Sequence, residues 1–232
     1  MNAGLNVKNI RKAFGGLVAI NDVSFSAAPA TITGIIGVNG AGKSTLLNCL
    51  CGLYTVSSGE IIWNGHALHN KPTDKVAAMG MGRTFQIPRL FNSLTLSENI
   101  AIGETGPTRH DEVDHLLEQV HLYRLRDNLA NELSGGQKKL IELLRIQYHK
   151  ADLILLDEPF AGVHPDLIRL FLDLIAAFRA AGKTVLLISH DLTSIYELSD
   201  NIIALNQGEI IAEGNARDIQ NSTAVVEAYL GE

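Results

Sequence analysis

Cysteine, clustered positive charge, long apolar runs and low-complexity stretches are scarce or missing in this 232-residue chain, and each shortage excludes something. No run approaches the ~20 apolar residues that a membrane-spanning helix requires. The longest apolar helix candidate, Asp166 to Ala181, is interrupted by Arg169, Asp173 and Arg179. The first residues include Asn2, Asn6, Lys8 and Asn9, unlike a secretory signal. A soluble, cytosolic chain is expected, still able to dock on a membrane partner. The formal net charge is −6, and Arg11-Lys12 and Lys138-Lys139 are the only adjacent Lys/Arg pairs. Phosphate-backbone contacts need clustered Lys and Arg, so nucleic acid is not an expected partner. The two cysteines, Cys49 and Cys51, stand two apart. On a helix that spacing turns them roughly 200° from each other, which suits packing and neither a shared metal nor a disulfide. With no repeat, charge block or low-complexity segment, disorder is not expected.

What is present suits an α/β domain. A 46% hydrophobic fraction and 21 glycines fit one large domain, or one with a small insert. Leu5 to Ile10 and Val23 to Ser26 read as short strands. Glu60 to Trp63 and His66 to Leu68 read as a hairpin on an Asn64-Gly65 turn. Together they predict an antiparallel layer. From about Ser93 to Lys150 the period becomes helical. Val113, Leu116, Leu117 and Val120 mark one helix within Asp111 to Leu125, and Leu140, Ile141, Leu144 and Tyr148 another within Gln137 to His149. Leu153 to Asp157 and Thr184 to Ser189 read as strands buried on both faces. Between them a helix starts at Pro165 and stops at Gly182. Ile202 to Leu205 and Glu209 to Ala212 form a second hairpin, and Ser222 to Leu230 a closing helix.

Gly37-Val38-Asn39-Gly40-Ala41-Gly42-Lys43-Ser44 fits G-x-x-x-x-G-K-S, the P-loop. It follows the apolar segment Thr33 to Ile36 and opens a helical one, Ser44 to Leu50, as the motif needs. Its glycines let backbone N–H groups converge on phosphate oxygens, and the helix start adds partial positive charge. Lys43 would neutralise the β- and γ-phosphates, Ser44 would ligate Mg²⁺, and Thr45 would continue the cradle. Downstream, Leu153 to Leu156 deliver Asp157 to the loop's mouth, where it can hold Mg²⁺ through water; Glu158, one residue on, suits a general base.

Leu133-Ser134-Gly135-Gly136-Gln137 stands directly before an apolar-periodic helix, an N-cap with bare amides and hence a second anion site. Taken locally it is also an ordinary cap. As a pentapeptide it resembles the signature of ATP-binding cassette (ABC) transporters. Other elements fall in the family's order: Gln86 resembles the Q-loop glutamine, Pro159 to Pro165 the D-loop, and His190 the switch histidine that touches the γ-phosphate. Phe14 stands where the family places an aromatic against adenine, with Val18 beside it. The resemblance covers essentially the whole chain.

It implies a P-loop NTPase core with a RecA-like parallel sheet, an N-terminal antiparallel β layer and an inserted helical subdomain. Residues 1–232 then form one ATPase domain, with 1–86 and 151–232 as core and 87–150 as the helical subdomain. It also implies ATP and Mg²⁺ as cofactors, catalytic roles for Glu158, His190, Gln86 and Lys43, and metal ligation by Ser44, Gln86 and Asp157. Ser134, Gly135, Gly136 and Gln137 would close on ATP held by a second ATPase subunit, in a homodimer or a homologous heterodimer. Gly82-Arg83-Thr84-Phe85-Gln86, Arg89-Leu90-Phe91 and the ending Val225 to Glu232 look like ATPases of branched-chain amino-acid importers. Urea and amide importers, and lipid or lipopolysaccharide exporters, share part of this texture; action on ribosomes or DNA is a remote alternative. Ile87, Pro88, Leu90, Phe91 and Leu94, within 87–102, would dock a permease at the cytoplasmic face of the cell membrane. The segment after Ile102 is short for that subgroup, Asn39 replaces a common proline, and Phe160 and His164 depart from the usual D-loop. The last two bear on whether both ATP sites fire equally.

Overall fold

The structure is a computed structural model, and it describes residues 4–230; Asn2 and the terminal Gly231-Glu232 of the sequence reading lie outside them. β1 (Leu5–Phe14) and β2 (Leu17–Ala27) open the chain, and β3 (Ile32–Ile36) runs through the P-loop into α1 (Lys43–Leu50). β4 (Ser58–Trp63), β5 (His66–Ala67), α2 (Thr73–Ala78) and β6 (Met81–Arg83) follow. Three helices come next: α3 (Leu96–Ala101), α4 (His110–Gln119) and α5 (Gly135–Tyr148). The chain then alternates through β7 (Leu153–Asp157), α6 (Pro165–Ala180), β8 (Thr184–Ile188) and α7 (Leu192–Leu198). It closes with β9 (Asn201–Asn206), β10 (Glu209–Gly214), α8 (Ala216–Gln220) and α9 (Thr223–Leu230).

Two sheets result, ordered β2-β1-β4-β5 and β10-β9-β3-β8-β7-β6. The first is antiparallel; the second is parallel except for β10. All five residues of β3, β7 and β8 are buried, which explains why these strands are mostly apolar and do not alternate with exposed polar residues. Alternate residues serve two cores. Ile154, Leu156, Val185 and Leu187 face the helical side with α3 to α6. Leu153, Leu155, Leu186 and Ile188 face the antiparallel layer and α1. The helical segment therefore packs on the same core as α6 and the sheet, with Leu140, Ile141 and Leu144 of α5 beside Phe171 and Ile175.

Some boundaries differ from the sequence reading, for local reasons. β1 and β2 are longer than the short strands expected, because register shifts break the period-two pattern. Asn9 and Asp22, at positive φ, sit in these irregular stretches, and Gly15-Gly16 closes the hairpin with Phe14 opposite Leu17. The helix expected to reach Leu125 stops at Gln119. His121 adopts a left-handed φ of 59, and the Leu122 N–H donates to the Leu117 carbonyl at 2.8 Å, a Schellman-type closure. Tyr123–Leu125 is a separate 3₁₀ turn. β6 was invisible in the sequence: three residues, with Gly82 at its centre. A Cβ on Gly82 would meet the Ala151 side chain at 2.9 Å, so the edge strand needs the bare backbone. Cys49 and Cys51 are buried and free, and burial pushes the Cys49 thiol up to about 11, as packing residues require.

Phe171 lies fully buried on α6, its ring 6.4 Å from that of Phe160. Phe171→Ala is expected to lower unfolding stability by about 3–5 kcal/mol through lost transfer energy and a residual cavity. Urea titration followed by circular dichroism measures it, and a loss below about 1 kcal/mol would contradict this packing.

Candidate active site

The carboxyl ends of parallel strands lie on one edge of a sheet, and ligands bind outside that edge. Here β3, β8 and β7 are neighbours, with Ile35 paired to Ile188 and Ile188 to Asp157. The segments that follow each strand, Gly37 onward, Ser189-His190 and Glu158, therefore emerge side by side. Around the first lies a cavity of about 360 Å³, lined by Phe14, Leu17, Ala19, Asn39 to Thr45, Gln86 and Glu158.

The P-loop is shaped by its own backbone. Gly37 has φ 148, and a Cβ there would sit 2.2 Å from the Leu205 carbonyl oxygen. Gly42 caps α1 at φ 103 without any side-chain acceptor. The start of the helix thus carries no side-chain cap, and its first residues, Lys43, Ser44 and Thr45, line the cavity, as suits an anion site at a helix N-terminus. Lys43 Nζ donates to the carbonyls of Gly37 and Val38 at 2.5 and 2.9 Å, drawing the loop into a ring around its own lysine.

Phe14 is 42% exposed, its ring edge-on to Tyr54 at 5.2 Å with Lys12 Nζ 4.6 Å from its centroid. An aromatic that is neither buried nor alone on the cavity rim is placed to contact a planar ligand. Leu17 and Ala19 line the cavity and Val18 does not, since strand side chains alternate between faces.

Asp157 is buried and its Oδ2 pairs with Arg83 Nη2 at 3.2 Å. Arg83 Nη1 also donates to Asn48 Oδ1 at 2.7 Å, and the Thr84 hydroxyl accepts from the Asp157 N–H at 3.1 Å. Burial raises the Asp157 carboxyl above its usual range, against the pull of Arg83, Lys43 and Lys139. Its Oδ1 is buried with no hydrogen-bond partner among the described residues. Ser44, Gln86 and Asp157 share the wall of a second, adjoining cavity of about 440 Å³. An orphaned carboxylate oxygen beside a hydroxyl and a carboxamide fits a hard, oxygen-seeking cation such as Mg²⁺. Arg83 stood in the sequence motif without a role; its place on an edge strand beside β7 gives it one.

Glu158 is buried and adopts φ 51, a left-handed conformation that costs a non-glycine residue about 1–2 kcal/mol. Its Oε2 lies 2.8 Å from His190 Nδ1 and accepts the His190 N–H at 3.2 Å. His190 is otherwise open to solvent, so the pair forms a polar lip on the cavity. By contrast, Ser134 to Gln137 do not line the cavity of their own chain. Ser134 and Gln137 form a capping box: the Ser134 hydroxyl accepts the Gln137 N–H at 3.3 Å, and Gln137 Oε1 accepts the Ser134 N–H at 2.9 Å. Gly135 is exposed, while buried Gly136 leaves room for Leu167, whose Cδ1 a Cβ would meet at 3.2 Å. The two departures in the D-loop have local explanations. Phe160 points into the core, and His164 caps α6 through Nδ1, which accepts the Asp166 N–H.

Fold and site together define a P-loop nucleotide-binding α/β domain. Residues 20–161 match the family described as "ABC transporter", and residues 209–232 the family described as "Branched-chain amino acid ATP-binding cassette transporter". The chain is 34% identical to the probable branched-chain amino acid transport ATP-binding protein LivG of Archaeoglobus fulgidus, over 98% of this chain and 95% of that protein. It is also 34% identical to the high-affinity branched-chain amino acid transport ATP-binding protein LivG of Escherichia coli K12, over 98% of each. A solved ADP conformation of an ATP-binding cassette of an ABC transporter superposes with a TM-score of 0.88 at 34% identity, covering 99% of each chain. A dimeric post-hydrolysis cassette bound to ADP and Pi matches with a TM-score of 0.82 at 25% identity, over 92% of this chain and 99% of that one. The chain belongs to the ABC transporter family and is one of its ATP-binding, ATP-hydrolysing cassettes.

Phe14→Ala is expected to weaken ATP binding about tenfold, in line with the ~1–3 kcal/mol of a base–aromatic stack. Titration with a fluorescent ATP analogue measures it beside a melting curve. An unchanged Kd would remove Phe14 from the nucleotide site.

Proposed function

We propose that this cassette drives import of branched-chain, hydrophobic amino acids through a separate membrane permease. It works as one of two ATPase subunits that share composite ATP sites. The observation that carries the ATPase mechanism is the arrangement at the sheet edge. The phosphate cradle and Glu158 line one cavity, His190 is paired to Glu158, and the signature residues are not part of that lining. The cargo is supported by the match at residues 209–232 and by what the relatives are described as transporting.

In this reading Phe14 meets the adenine ring, and the amides of Gly37 to Thr45, with Lys43, hold the phosphates. Ser44, Gln86 and Asp157 would hold Mg²⁺, which when bound neutralises phosphate charge. Glu158 accepts a proton from the attacking water, and His190 orients Glu158 and reaches the γ-phosphate. Ser134 and the free amides of Gly135 and Gly136, with Gln137 bracing the cap, close on ATP held by the other subunit. The chemistry is then complete only in the closed dimer, and the γ-phosphate is the ligand that distinguishes closed from open.

Residues 87–150 act as the helical subdomain, and 87–102 as the permease dock. Ile87 and Phe91 are 79% and 54% exposed there, with Leu53 and Tyr54 across the adjoining groove. A short permease helix laying apolar side chains into such a groove is a known recognition mode. Among the described residues no helix is long and apolar enough to cross a membrane. The permease supplies the spans and holds the cassette at the cytoplasmic face.

Glu158→Gln is expected to bind ATP normally, to accumulate as an ATP-bound dimer on gel filtration, and to turn over at least about a hundredfold more slowly. Near-parent turnover would defeat the general-base role. For the cargo, the complex recovered from detergent-solubilised membranes should contain permease subunits. Once reconstituted with its binding component, it should accumulate labelled leucine in an ATP-dependent way. Accumulation of urea or an amide in its place, or outward lipid movement, would overturn the cargo assignment.

A further inference from the structure

Lys139 lies on α5, one turn beyond the Ser134–Gln137 cap, and is only 7% exposed. Its Nζ donates to the Glu158 carbonyl at 2.6 Å and to the Ala161 carbonyl at 2.8 Å. These oxygens belong to the first and last residues of one tight turn, which the Ala161 N–H closes onto the Glu158 carbonyl at 3.3 Å. The lysine therefore clamps both ends of the turn that carries the Glu158 side chain. Glu158 is also the residue held at φ 51, and it keeps its carboxylate on His190 only while that conformation persists.

A methionine would fill the same space without the cost of burying an ammonium group. That cost is visible: burial pulls the Lys139 pKa down, and only the nearby charges of Glu158, Glu142 and Asp157 oppose it. The next buried charge on the same helix face, Glu142, accepts the Arg89 N–H at 2.7 Å, three residues past Gln86. α5 thus grips the turn after β7 with one buried charge and the segment after Gln86 with the next.

We infer that Lys139 is a positioning residue for hydrolysis: it locks the Glu158–Ala161 turn so that the Glu158 carboxylate faces the phosphate cavity, and it ties that turn to the signature end of α5. A shift of the Ser134 cap on engaging a second subunit's nucleotide is then felt at Glu158 through a short, stiff linkage. The inference rests on Glu158 being the base.

Lys139→Met is expected to lower kcat about ten- to a hundredfold, as a misplaced base would. The ATP KM and Kd should stay within about twofold, because the cradle is untouched. In single-turnover measurements on the Glu158→Gln background, Lys139→Met should change the residual rate less than about twofold, since the group it positions is already gone. If Lys139→Met does not reach a folded state by circular dichroism, Lys139→Gln carries the same comparison. A folded Lys139 variant with kcat near the parent's, beside an inactive Glu158→Gln, overturns the inference alone. An equal loss on both backgrounds also overturns it, as the sign of general structural damage. Near-parent turnover of Glu158→Gln removes the base reading, and the inference with it.

Discussion

Three hydrogen-bonded parallel strands, β3, β8 and β7, end level with one another, and the site is built on that alignment. Ile35, Ile188 and Asp157 lie in line across the sheet. Both faces are buried, so each strand has one set of side chains for each core. A one-residue slip would exchange the sets and send Asp157 away from the P-loop. The register is therefore set by two whole cores, each far larger in energy than any contact at the site. The loops inherit that precision: the P-loop, Glu158 and His190 begin where rigid strands stop.

Against this apolar background the interior charges are few and close together. Lys139, Glu142, Asp157 and Glu158 are the buried charged residues among those described, and all lie on α5 or at the end of β7. Removing one partner of a buried pair such as Arg83–Asp157 costs about 3–5 kcal/mol, whereas exposed pairs contribute about 0–1. The surface bridges of Arg169 with Asp173 and Glu197 are thus minor in comparison. Charge buried at such cost concentrates where function needs it and not where stability alone would place it.

Much of this was legible from residue order. Doubly buried strands announce themselves as apolar runs, so β7 was read to its terminal Asp157, and Pro165 and Gly182 bracketed α6 because both act through local backbone geometry. The P-loop and the capping signature are likewise local. What stayed hidden was non-local or irregular. The reach of β1 and β2 depends on bulges, which erase alternation, and β6 is three residues long and stands only because β7 offers an edge. Arg83 and Lys139 belong to the neighbourhood of Asp157 and Glu158 through pairings 74 and 19 residues apart. No periodicity reports such contacts. Which face of β2 looks at the cavity likewise depends on the register of a bulged ribbon.

The geometry also says why the proposed chemistry would wait for a partner. A P-loop cradle grips one side of a triphosphate, and the Glu158–His190 lip stands at its rim with His190 in solvent. An open, wet site weakens every electrostatic contact within it, because water screens charge. Closing a second set of amides, such as those at the start of α5, over the γ-phosphate would exclude water and add positive potential at once. The same α5 grips the turn that carries Glu158, so closure and alignment of the base would be one movement. On the proposed reading, assembly of the dimer and activation of the attacking water would need no separate signal.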